Sequence, residues 1–169
     1  MQYYYIKGDT MSNPLIGLHA VLGEIGIVAF VWVFVEMIKP TPKRLKRAQI
    51  VALIGVSFFI ASWIVGGYYY VNDYGLLVKP LIKEGPEPWA HSVIMESKEH
   101  IFIFLPFISL FTYNILRHYG KSLKKDKNSH AKKSVLFLSA VIIIIGALMG
   151  LMGYLISSGL RTAMEASLR

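Results

Sequence analysis

The residues able to do chemistry are few and clustered. Five histidines are present, and three stand out by position. His19 lies in the apolar run LHAVLGEIG, followed by Glu24. His91 and His100 bracket the segment HSVIMESKEH, which also holds Glu96, Lys98 and Glu99. A neutral imidazole offers one nitrogen lone pair to a metal or a proton. Carboxylates beside it can complete an oxygen/nitrogen ligand set or accept protons. On a straight α-helix, at ~100° per residue, Glu96, Glu99 and His100 share one face. His91, Met95 and Lys98 fall on another face. His91 and His100 are half a rotation out of phase, so one ligand can hardly reach both from one straight helix. In the first run His19, Gly23 and Gly26 share a face, leaving room for something flat or for close helix packing, while Glu24 points ~140° away. His118 and His130 lie in a basic loop and read as solvated.

Three kinds of chemistry fit this pattern. The first is b-type haem, which takes axial nitrogens from helices across a pocket with apolar walls. His19 and His100 supply the pair, with His91 as the alternative partner. Phe102, Phe104, Phe107, Trp63 and the glycines could supply the walls. The second is a bare ion of iron, zinc or copper held by His19, His100, Glu96 and Glu99; Met95 and Met11 would suit copper. The third is ion pairing of Glu96, Lys98, Glu99 and His91 among themselves, with only a structural role. The chain has no cysteine. That excludes disulfides, thiolate metal sites, iron–sulfur clusters and covalent c-type haem. No Ser/His/Asp or phosphate-loop motif is present, and whether the chain is an enzyme stays open.

The elements that must position these groups are membrane helices. Of the 169 residues, 54% are apolar and only 17% charged, against roughly 25% charged in soluble domains. Mean hydropathy is +0.50. Four apolar stretches, about 15–38, 50–70, 92–117 and 135–157, each approach the ~20 residues that cross a ~30 Å hydrocarbon core. They predict an all-α, four-helix transmembrane bundle forming one domain over 1–169, with an outer loop at 71–91. That loop's Gly and Pro punctuation predicts an ordered cap with room for a short helix. Pro106 predicts a kink in the third span. The first stretch does not read as a cleavable signal, being too long and lacking a basic lead.

Orientation follows from Lys and Arg. Five (Lys39, Lys43, Arg44, Lys46, Arg47) follow the first span, and seven (Arg117, Lys121, Lys124, Lys125, Lys127, Lys132, Lys133) follow the third. The outer loop has only Lys79 and Lys83. The positive-inside rule puts both termini on the extracytoplasmic side. The net charge of +8 is then spent on topology and lipid headgroups rather than nucleic acid. Tyr3, Tyr4, Tyr5, Tyr68, Tyr69, Tyr70, Tyr74 and Trp89 suit an outer aromatic belt. Gly66, Gly67, Gly146, Gly150 and Gly153 suit helix–helix contacts. Counted inward from the boundaries, His19 and His100 reach similar depth.

In architecture the chain resembles small four-helix membrane b-type cytochromes. The residues carrying the likeness are LHAVLGEIG around His19 and SKEH at His100. The resemblance implies haem b near the outer surface of a prokaryotic cytoplasmic membrane. It also implies electron exchange with quinol or with a periplasmic or membrane redox subunit, or in a homo-oligomer. Glu96 or Glu99 would accept quinol protons. Members with two haems also carry inner histidines, and here spans two and four have none. The alternatives are a non-haem metal protein and a non-catalytic anchor subunit of a larger complex.

Overall fold

The computed structural model describes residues 13–118 and 130–168. Met11, the first tyrosines and Lys121 to Lys127 lie outside them. Helix α1 spans Pro14–Ile38 and α2 spans Pro42–Tyr69. Both start the same way. Asn13 Oδ1 accepts from Leu15 N at 3.0 Å, and Thr41 Oγ1 accepts from Arg44 N at 3.2 Å. Each cap precedes a proline, whose missing N–H costs nothing in a first turn. The short Lys39–Thr41 link makes the two helices antiparallel.

The second rod does not end at Tyr70. A π-helical segment, π1 (Tyr70–Val78), and a short helix, α3 (Lys79–Glu84), continue it. The rod Pro42–Glu84 is 43 residues long, roughly 60 Å at the α-helical rise and about twice the hydrocarbon thickness. Most of the predicted outer loop is therefore helix, and the turn is only Gly85–Trp89. The third rod comprises π2 (Ala90–Met95), α4 (Glu96–Phe102) and α5 (Phe104–His118). Its break at Ile103 has a cause. Pro106 cannot donate to the carbonyl four residues back, which is Phe102, and its ring crowds that carbonyl. The fourth rod, α6 (His130–Ala166), outruns the predicted 135–157 at both ends.

Each rod packs on two neighbours: α1 on α2 and α6, α5 on α2 and α6. Small residues set the spacing. A Cβ on Gly146 would stand 2.5 Å from Ile27 Cγ1, and one on Gly26 would stand 2.7 Å from the Phe59 ring. The lower core holds Phe30, Val33, Phe59, Leu105, Ile142 and Met149. A second cluster of Tyr74, Val78, Ile82, Ala90, Ile156 and Leu160 forms an outer cap, where α6 packs against α3 and π2. Only 28–33% of each apolar window is inside the bundle. The outward faces carry Leu18, Val28, Ile64, Phe107, Phe111, Phe137 and Ile144 instead. Such a surface belongs in lipid, and helices satisfy their own backbone there. The chain is an integral membrane protein with four candidate spans.

Apart from Lys39, the basic residues read as a loop after the first span lie in the first turns of α2, and the arginines among them make specific contacts. Glu36, 4% exposed, lies at the inner end of α1. Its carboxylate accepts from Arg47 Nε at 2.8 Å, Arg44 Nε at 3.0 Å and Trp32 Nε1 at 3.0 Å. Gln49 Nε2 donates to Leu116 O at 2.7 Å, tying α2 to α5 at the same end.

Candidate functional site

Between the two apolar clusters every rod contributes to a polar layer. On α1 the residue is His19; on α2, Ser62 and Gly66; on α4, Lys98 and Phe102; on α6, Gly153. His19 Nδ1 lies 2.8 Å from Ser62 O. A carbonyl can only accept, so Nδ1 carries the hydrogen and the neutral ring keeps its lone pair on Nε2. Ser62 Oγ sits 3.0 Å from the same nitrogen and donates to His19 O at 3.0 Å. The ring presses on Gly66, where a Cβ would stand 2.6 Å from Nδ1. Phe102 meets it edge-on, with ring centroids 6.0 Å apart. Lys98 reaches the same layer from α4, and a Cβ on Gly153 would stand 3.2 Å from its Nζ. Among the described residues no carboxylate pairs with Lys98.

The outer cap holds a second polar group. Tyr74 on π1 and His91 on π2 are each 1% exposed. Tyr74 Oη lies 3.0 Å from His91 Nδ1, and Tyr70 stacks on Tyr74 with centroids 5.4 Å apart. His91 Nε2 is buried and has no hydrogen-bond partner among the described residues. The nearest acid is Glu96, with Oε1 at 3.9 Å and a side chain 58% exposed. A straight α-helix would put His91 and Glu96 ~140° apart. The i→i+5 bonding of π2 widens the turn to between four and five residues, which brings residues five apart back toward one face. The separate faces read from α-helical phase are corrected by that segment.

His19 and His100 are not brought together. Phe102 occupies the face of α4 toward His19, and His100, two residues back, lies ~200° around it. His100 is exposed, donates from Nδ1 to Glu96 O at 2.6 Å, and lines an open groove with Ser92, Val93, Glu96, Ser97 and Ile101. Glu99 is also exposed and turned toward Tyr70. Trp63, Phe104 and Phe107, expected as pocket walls, face outward. Glu24 is exposed on the outward side of α1. Among the described residues no three His, Cys, Asp or Glu side chains converge on a common point suited to a metal. Ser62, Gly66 and Tyr74 were not foreseen as partners. The available signal was a small polar residue and a glycine four apart in span two.

Comparison with family models, with curated proteins and with solved structures finds no match.

Proposed function

We propose that this chain is a membrane redox protein of the b-type cytochrome kind, with His19 as the protein ligand of a haem b in the polar layer. One observation carries the reading. His19 has its Nδ1 hydrogen bound to Ser62 O and, among the described residues, no hydrogen bond at Nε2, in a layer shared with an ammonium that has no carboxylate partner among them. Metal-binding histidines are held this way, with the far nitrogen anchored so that the ring orientation and tautomer are set. An ionisable group inside a membrane bundle marks a ligand or transport site by default. Lys98 would face a carboxylate of the bound group, and its side chain is flexible enough to vacate the place beside Gly153.

Haem would supply one-electron chemistry. The residues of the chain would orient it, exclude water and take up protons. Glu96 and Glu99, exposed at the outer end, are the proton acceptors for a quinol or the contact for a periplasmic partner.

Spectra of the purified chain test this. A reduced-minus-oxidised Soret and α-band is expected, lost in His19→Ala, weakened in Lys98→Met and retained in His100→Ala. Bands that persist in His19→Ala overturn the ligand. A colourless protein whose iron, zinc or copper content falls in His19→Ala replaces haem with a bare ion, and one with no His19-dependent cofactor is an anchor subunit.

A further inference from the structure

The outer cap carries a site separate from the polar layer. We propose that His91 and Glu96 bind a first-row divalent metal ion at the outer surface.

The donor comes first. An imidazole nitrogen buried without a partner is costly, because its hydration is lost and nothing replaces it. His91 Nε2 is in that position. The other nitrogen is held by Tyr74 Oη at 3.0 Å. In the tautomer a metal ion would select, Nδ1 carries the hydrogen and donates it to the phenol oxygen, and Nε2 presents its lone pair. A fixed second nitrogen is the usual setting of a ligating histidine.

The second ligand lies on the exposed side. Glu96 Oε1 is 3.9 Å from His91 Nε2. Two donors bound at the ~2.0–2.2 Å typical of zinc to nitrogen and oxygen stand a little closer than this, within one side-chain adjustment of an exposed glutamate. The Glu96 side chain is 58% exposed, so water would complete the coordination from that side. Glu99 adds negative charge in the neighbourhood of His91, and Lys79 and Lys83 on the neighbouring rod add positive charge.

The geometry depends on backbone built for it. π-Helical turns are uncommon and collect at functional sites. Here two of them meet, π1 supplying Tyr74 and π2 supplying His91, with Glu96 as the first residue after π2. A nitrogen/carboxylate donor pair suits zinc and its first-row neighbours over magnesium or calcium.

The experiment is calorimetric titration of the full-length, chelator-treated chain with Zn²⁺. One site per chain is expected, with Mg²⁺ failing to compete. His91→Ala and Glu96→Gln should each weaken binding by about tenfold or more. Tyr74→Phe, which removes the hydroxyl that orients the imidazole, should weaken it by roughly 10–100-fold. His100→Ala and His19→Ala should leave it unchanged, which separates this site from the haem reading. Zinc-edge absorption should show a nitrogen/oxygen shell containing one imidazole. Zn²⁺ affinity that is absent, or equal in wild type, His91→Ala and Glu96→Gln, overturns the proposal and leaves the two residues as an ion pair.

Discussion

Glu36 meets two guanidinium groups and an indole N–H at the inner end of α1. Hydrogen bonds to charged groups contribute about 1.5–3 kcal/mol each. Solvent screens part of this, since the Arg44 and Arg47 side chains are 33% and 47% exposed. Glu36→Ala should therefore destabilise the chain by about 2 kcal/mol, measured as a fall of several degrees in Tm in detergent. Arg47→Lys should lose part of that, because a lysine cannot make the forked contact. At the other end, Gly66 and Gly67 form a paired test. A Cβ at Gly66 collides with His19, whereas one at Gly67 meets nothing within 4 Å. Gly66→Ala should displace the imidazole and abolish any His19-dependent absorption at unchanged helix content. Gly67→Ala should match wild type. Equal spectra from the two variants would show that close packing on Gly66 does not position the ring.

Helix α1 presents two faces of opposite character. Its inward face carries His19, Gly26, Phe30 and Val33 against the bundle. Its outward face carries Val21, Val28 and Val35 with Glu24 among them. Glu24 lies ten residues after Pro14, ~15 Å down the helix and near mid-depth of a ~30 Å core. An acidic side chain there raises the cost of insertion by about 3–4 kcal/mol relative to leucine. Glu24→Leu should accordingly raise the efficiency of membrane insertion of α1 and the Tm of the purified chain. A fall in Tm instead would mean that the carboxyl has a partner on that face. The π-helical segments make a related point. They change which residues share a face without changing that the segment is helical, so α-helical phase separated His91 from Glu96 where the backbone joins them.

The whole molecule is a bundle with a polar layer and a second core above it. The antiparallel order puts the Pro14 start of α1, the Gly85–Trp89 turn and the end of α6 on one side. By the positive-inside rule the distribution of Lys and Arg predicts that side to be extracytoplasmic. A chain with no cysteine permits a clean test. Ser92→Cys and Ser167→Cys should react with an impermeant maleimide added to intact cells. Lys43→Cys should react only after the membrane is opened. The reverse pattern would invert the protein.

What the sequence determined by itself was the number of spans and the class of the fold. Twenty apolar residues in a row have one low-energy solution in lipid, and that solution uses only local backbone bonds. The break before Pro106 was legible for the same reason, whereas the helix start at Pro42 lies eight residues ahead of the apolar stretch that begins near residue 50. The tertiary structure decided what faces what. The apolar stretch read from the sequence ends near Tyr70, yet the helix continues to Glu84, because α6 and π2 offer it an apolar surface. His19 belongs with Ser62, Gly66 and Lys98, not with His100, because Phe102 takes the face of α4 that meets α1. Partnerships between rods depend on helical phase and on which rods are neighbours, and a π-turn of one extra residue resets that phase.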